Sequence, residues 1–266
     1  MSASHFTIIV PVDFTEASNK AVHHAITISK TTGGSIDLFH VLDELSPDTV
    51  NDKLEVLSDL VEAAGISVKT IIGEGPILST ITETAKKGSY KLMVIGTHGP
   101  KGVRQILFGA DIMRVLRHNP CPAVVVQKDA DPEKQIRKIL LPVGNHENYL
   151  DLVRATCLCA IALDASVTIY WQQKPYEQLK DGIFENIQVT RDLMDQFDVN
   201  YDEVKVEPAA KSSELAKQIM AFAKNGNYDM VGLMPNANKS DDYFGDSDKE
   251  KVLTNEENIP ILCSKG

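Results

Sequence analysis

Two short stretches in the first half of this 266-residue chain carry residue types that can hold a polar or anionic ligand. The first is Pro11-Val12-Asp13-Phe14-Thr15, where a carboxylate follows an apolar run. Asp13 can bind a ligand's hydroxyl or amino group. Alternatively, Asp13 and Thr15 can satisfy the free backbone N–H groups of a helix starting near Glu16. The second stretch is Gly96-Thr97-His98-Gly99, followed after nine residues by Gly109. Glycine allows positive φ and lets a ligand approach where a Cβ would stand. A helix opening at Gly109 would aim its first N–H groups, and the positive end of its dipole, at an anion. Lys101 and Arg104 either supplement such a phosphate cradle or are simply solvated. No nucleophile–base pair and no metal triad converges on these positions. The chemistry expected is therefore binding rather than catalysis.

The elements that must position these residues follow from hydrophobic periodicity. Strands are predicted at 7–12, 35–42, 67–72, 91–96 and 123–127, and helices at 16–32, 48–64, 78–87 and 110–117. The strands are nearly continuous in apolar character, as in a parallel sheet covered on both faces. Strict alternation with helices predicts a Rossmann-like, doubly wound α/β sheet. Such sheets bind ligands beyond the carboxyl ends of their strands, which is where Asp13 and the glycines lie.

The chain also repeats itself. Phe6-Thr7-Ile8-Ile9-Val10-Pro11-Val12-Asp13 is matched by Arg137-Lys138-Ile139-Leu140-Leu141-Pro142-Val143-Gly144, and Tyr90-Lys91-Leu92-Met93-Val94 by Tyr228-Asp229-Met230-Val231-Gly232. The spacing grows from 131 to 138 positions between these pairs. About seven extra residues are expected in the second copy, around 171–197. Residues 127–135 read as a polar linker, which places the domains at 1–128 and 136–266.

Pro-Val-Asp at 11–13, Gly-x2-Gly-x9-Gly at 96–109 and Asn-Pro-Cys-Pro-Ala-Val-Val-Val at 119–126 together resemble the universal stress protein family, including its tandem two-domain members. The resemblance implies a five-stranded sheet of order 3-2-1-4-5 and, as in many members, a bound ATP or other adenine nucleotide, with Mg²⁺ a candidate companion. The implied site comprises Pro11, Val12, Asp13, Val41, Ile95, Gly96, His98, Gly99, Gly109, Ala110, Asp111 and Ile112. Asp13 and the backbone of Val41 would lie at the adenosine, Gly96 and Gly99 at ribose and phosphate, and Gly109 with its successor at the phosphates. Nucleotide-binding members carry Ser or Thr after the last glycine, whereas this chain has Ala110 and then Asp111. Losing a hydrogen bond to a charged group weakens binding roughly tenfold to a hundredfold. The expectation is a non-catalytic sensor or regulator that binds its nucleotide weakly, with a slow ATPase as a further alternative. A protein-interaction module with a vestigial site is the runner-up.

In the second copy Gly144 replaces Asp13, and 233–238 lacks the glycine pair. Only Gly245 survives, among Asp241, Asp242, Asp246 and Asp248. That copy reads as degenerate, its acidic loop solvated rather than metal-binding. The family resemblance gives it a structural role, an internal pseudo-dimer through 123–126 and 259–263, with further homodimerisation of the chain left open.

The formal charge is −10, and both halves are acidic, which argues against nonspecific nucleic-acid binding. No run approaches the roughly 18 apolar residues of a membrane span. Residues 1–10 show no secretory signal, so a cytoplasmic location is expected. Four cysteines are too few and scattered for a disulfide framework, and Cys157 and Cys159 read as buried helix residues.

Overall fold

The computed structural model describes residues 6–42, 45–97, 109–146, 149–172, 181–208, 214–236 and 245–264. The chain divides into two compact units, Met1–Gln135 and Ile136–Gly266. The first contains β1 (Thr7–Pro11), α1 (Glu16–Thr32), β2 (Ser35–Val41), α2 (Pro47–Ala63), β3 (Val68–Gly73), α3 (Ile77–Lys87), β4 (Leu92–Thr97), α4 (Gly109–His118) and β5 (Ala123–Gln127). Its strands run parallel in the order β3-β2-β1-β4-β5, the order the family resemblance implies. Ile8, Ile9 and Val10 of β1 and Val124, Val125 and Val126 of β5 are fully buried. The continuous apolar runs are thus strands covered on both faces. By contrast β3 has no buried residue, its positions being half-buried or exposed.

Local signals set the helix ends. Thr15 caps α1 by accepting from Ser18 N–H, and Gly33 closes that helix at φ 65°. Ser46 caps α2 ahead of Pro47, whose ring fits the first helical turn. The linker segment lies against α1: Thr27 Oγ1 donates to the Pro132 carbonyl at 2.7 Å, and Ala130 is buried.

The second unit contains β6 (Lys138–Val143), α5 (Leu150–Leu163), β7 (Ser166–Gln172), α6 (Asp181–Gln196), β8 (Tyr201–Val206), α7 (Leu215–Asn225), β9 (Met230–Leu233), α8 (Asp246–Leu253) and β10 (Ile261–Cys263). Its parallel order, β8-β7-β6-β9-β10, repeats that of the first unit. The Asp229 carboxylate ties β6 to the start of β9 by accepting the backbone N–H groups of Arg137 and Lys138, both at 2.9 Å.

The additional residues of the second copy fall mainly elsewhere than expected. The span between β2 and β3 holds 26 residues and that between β7 and β8 holds 28, whereas three separate β3 from α3 and eight separate β8 from α7. Most of the insertion therefore precedes α7, where added length enters a connection without disturbing helix packing.

Cys157, Cys159 and Cys263 are buried free thiols. Burial raises the Cys157 thiol to about 11 and the Cys159 thiol to about 12, which keeps both protonated and unreactive near neutral pH. Among the described residues, no helix is long and apolar enough to cross a membrane.

Candidate functional site

A pocket of about 500 Å³ opens beyond the carboxyl ends of β1, β2 and β4. Pro11, Val12 and Asp13 enter it from β1 and its following turn, Phe39, His40 and Val41 from β2, and Ile95 and Gly96 from β4. Ile77 and Ile81 of α3 and Ser18 of α1 complete the wall. Six residues of the site read from sequence, Pro11, Val12, Asp13, Val41, Ile95 and Gly96, therefore share one cavity. Ile112 and Asp111 are not among its walls. Ile112 is fully buried within α4, and Asp111 lies 3.9 Å from Arg114 with its side chain 39% exposed. Gly109 and Ala110 form the first turn of α4. His98, Gly99, Lys101 and Arg104 lie outside the described residues.

The turn holding Asp13 is built from its neighbours. Asp13 Oδ1 accepts the Thr15 N–H at 3.1 Å and the Thr15 hydroxyl at 2.6 Å, while the Asp13 N–H donates to Ser18 Oγ at 3.3 Å. Thr15, rather than Asp13, is the helix cap. Asp13 Oδ2 has no hydrogen-bond partner among the described residues. Between them Phe14 adopts φ 61°, a left-handed conformation that costs a non-glycine residue about 1–2 kcal/mol. The His40 ring stacks obliquely on Phe14 at 4.6 Å, and Lys53 Nζ sits 5.1 Å from the same ring. These contacts help hold the backbone turn that carries the Asp13 carboxylate.

His40 is the main residue whose place in this site the sequence did not reveal. It is 1% exposed, and its Nδ1 lies 2.8 Å from the Val12 carbonyl. A carbonyl can only accept, so Nδ1 carries the proton and neutral His40 keeps Nε2 as an acceptor. That buried Nε2 has no partner among the described residues. Its adjacency to Val41 at a strand end was the available signal. Ile77 and Ile81 carried another, an i, i+4 apolar pair on α3. No group of three or more potential metal ligands occurs among the described residues.

The second unit has a matching pocket of about 530 Å³. Pro142, Val143 and Gly144 stand where Pro11, Val12 and Asp13 do, and Tyr170 and Gln172 occupy the places of Phe39 and Val41. Leu215, Ile219, Leu233 and Met234 repeat Ile77, Ile81, Ile95 and Gly96. Loss of the ligand-binding residue types has therefore not closed the cavity. The Lys249 side chain of α8 is wholly buried, and its Nζ donates to the Asn236 carbonyl at 2.7 Å. Asp246 and Asp248 lie in the first turn of α8, where acids favour the helix dipole, while Asp241 and Asp242 lie outside the described residues.

Comparison with known proteins finds relatives of this sequence and fold. Residues 5–127 match the family model described as the universal stress protein family. A universal stress protein of Methanocaldococcus jannaschii is 29% identical over 145 residues, covering 48% of this chain and 84% of that protein. One from Bacillus subtilis is 22% identical over 144 residues, 45% of this chain and 97% of that protein. The crystal structure of a universal stress protein from Archaeoglobus fulgidus shares 14% identity and superposes with a TM-score of 0.70, covering 97% of this chain and 96% of that one. The last likeness extends the fold across both units. Residues 5–127 thus match the universal stress protein family, and the second unit repeats the strand order of the first.

Proposed function

We propose that the first unit binds an adenine nucleotide, ATP, ADP or AMP, weakly and without catalytic turnover, as the sensing element of a cytoplasmic stress-response protein. The observation that carries this reading is the pocket at the strand ends. It combines apolar walls for a planar base with a carboxylate oxygen of Asp13 and the Nε2 acceptor of His40, neither of which has a partner among the described residues. A base amino group is a donor that His40 Nε2 can accept, and ribose hydroxyls are donors for the carboxylate. Ala110 offers no hydroxyl to phosphate, so ATP gains little over AMP, and the Asp111 charge near the helix start makes Mg²⁺ the natural companion of a triphosphate.

Calorimetric titration with ATP, ADP and AMP, each with and without Mg²⁺, tests the reading. Saturable binding of one nucleotide per chain is expected, with ATP and AMP within about tenfold of each other. Absence of saturation at millimolar nucleotide rejects it. Asp13→Asn provides a sharper test, because its amide oxygen can still accept from Thr15. We expect a melting temperature lowered by no more than about 4 °C, as the Thr15 bonds lose their charge assistance, and roughly tenfold weaker nucleotide binding, since charge-assisted hydrogen bonds are about twice as strong as neutral ones.

Ala110, Asp111 and the loss of Asp13 and Gly96 equivalents from the second unit favour a second reading, a protein-interaction module with a vestigial pocket. Partners captured equally by the parent chain, Asp13→Ala and Gly99→Val would select it. Those lost together with nucleotide binding would select the first.

A further inference from the structure

We propose that the pocket of the second unit is a binding site in its own right, for an uncharged, largely apolar ring compound bearing one hydrogen-bonding group. This site is independent of any nucleotide in the first unit.

The second pocket persists at the same strand ends as the first, enclosing with its open mouth about 530 against 500 Å³, so it has not been filled by repacking. Its charge has been reduced. Gly144 removes the carboxylate that Asp13 supplies in the first unit, and among the described residues no lining residue is acidic or carries a permanent positive charge. Met234 stands at the Gly96 position, putting an adaptable thioether where backbone was exposed. Leu152, Leu215, Ile219, Leu233 and Val252 complete an apolar wall. The buried Lys249 ammonium is engaged with Asn236 and is not part of that wall.

Polar side chains have been added too, Gln172 in the place of Val41 and Tyr170 in that of Phe39. Tyr170 takes the place of Phe39 and is 2% exposed, yet its hydroxyl has no hydrogen-bond partner among the described residues. The contrast with Tyr149 is informative, because that hydroxyl, in the same pocket, donates to the Pro142 carbonyl at 3.1 Å. His146 and Gln172, the other polar walls, make interactions within the protein, and His146 Nδ1 is a second buried atom without a hydrogen-bond partner among the described residues. Burial raises the Tyr170 phenol to about 12, so it remains a neutral O–H available to a ligand. A buried hydroxyl without a partner is costly, and a ligand oxygen or nitrogen meeting it recovers that cost. An anion would gain no charged partner among these walls while losing its hydration.

The test uses the full chain labelled at the methionine methyl carbons, with 1-naphthol, naphthalene and 1-naphthyl phosphate as probes. Met234→Leu assigns the reporter resonance in the second pocket. We expect 1-naphthol to shift the Met234 methyl saturably while leaving Met93, in the first unit, unmoved. Its affinity should exceed that of naphthalene by about three- to tenfold, as one neutral hydrogen bond provides. Tyr170→Phe should erase that preference without weakening naphthalene. Ile219→Trp, which fills the cavity, should abolish both. The proposal is overturned if neither ring compound moves Met234 saturably, if naphthol shows no preference in the parent chain, if the preference survives Tyr170→Phe, or if the phosphate binds more tightly than naphthol at Met234. The parent-chain spectra decide the question even if the tryptophan variant does not fold.

Discussion

Replacing Gly96 with alanine is expected to lower the melting temperature of the first unit by about 10 °C while leaving the transition of the second unit in place. A Cβ at Gly96 would overlap the Ala17 carbonyl group and stand 2.8 Å from the Ser18 nitrogen. Those atoms belong to the backbone of α1, so no side-chain rotation relieves the contact. The helix would have to lift from the sheet along the face that buries Ala17, Ala21, Val22, Ala25 and Ile28. Overpacking of this kind costs typically 1–3 kcal/mol, and a backbone obstacle puts the cost near the upper end, about 3 kcal/mol. At roughly 3–4 °C per kcal/mol for a unit of this size, the shift follows. Ala17→Gly should not rescue the variant, because the obstructing atoms remain. Differential scanning calorimetry measures both transitions, and a change below about 3 °C would show that α1 yields easily. Gly96→Ala should also lose nucleotide affinity, but that loss cannot be attributed to ligand contact, unlike the effect of Asp13→Asn, which leaves the packing intact.

Gly96 shows how much of the site was legible in sequence. Its place directly after an apolar strand and its spacing to Gly99 and Gly109 pointed to a ligand loop, and the residue does line the pocket. Its second duty, admitting the backbone of α1, depends on a helix seventy-odd positions away in the chain and leaves no mark in local spacing. The same limit applies to His40. It is a buried strand residue, and only the three-dimensional neighbours Phe14 and Val12 reveal which ring nitrogen is left over. The strands and the duplication were readable because period and apolar continuity are local properties, whereas the strand order came from the family resemblance. Where the seven additional residues entered was not, since a longer connection and a longer helix change the spacing alike. The second pocket was hidden for a related reason: substitutions such as Gly144 and Met234 remove familiar chemistry, but cavity volume is set by how α7 and α8 pack on the strands.

Acidification should produce the second large effect, through His24. This α1 residue is 3% exposed, and its Nε2 has no partner among the described residues. Burial lowers its pKa from 6.5 to about 4, outweighing the Asp131 charge and a hydrogen bond with the Ala130 backbone, which raise it, while Lys20 and His23 push it down further. The folded value is depressed, so between pH 6.5 and 4 the unfolded chain binds a proton that the folded chain refuses. Stability from this residue is therefore fully present above pH 6.5, falls with pH through that window, and is about 3 kcal/mol lower at pH 4. That is a large share of the 5–15 kcal/mol typical of a folded domain. Urea unfolding of the first unit at pH 7.5 and 4.5 should show a loss of about 2.5 kcal/mol from His24 in the parent chain. In His24→Leu this component should vanish, leaving only the slope of the remaining groups. Identical pH dependence in the two proteins would falsify the assignment. Asp131→Asn discriminates further: without the carboxylate's attraction His24 is harder to protonate, so the acid loss should deepen rather than diminish. The sign matters because His24 sits on α1 beneath Ala130, and the same helix begins at the Thr15 cap that holds the Asp13 carboxylate. A proton forced onto His24 therefore weakens the helix that anchors one wall of the pocket, and nucleotide affinity should fall over the same pH window as stability.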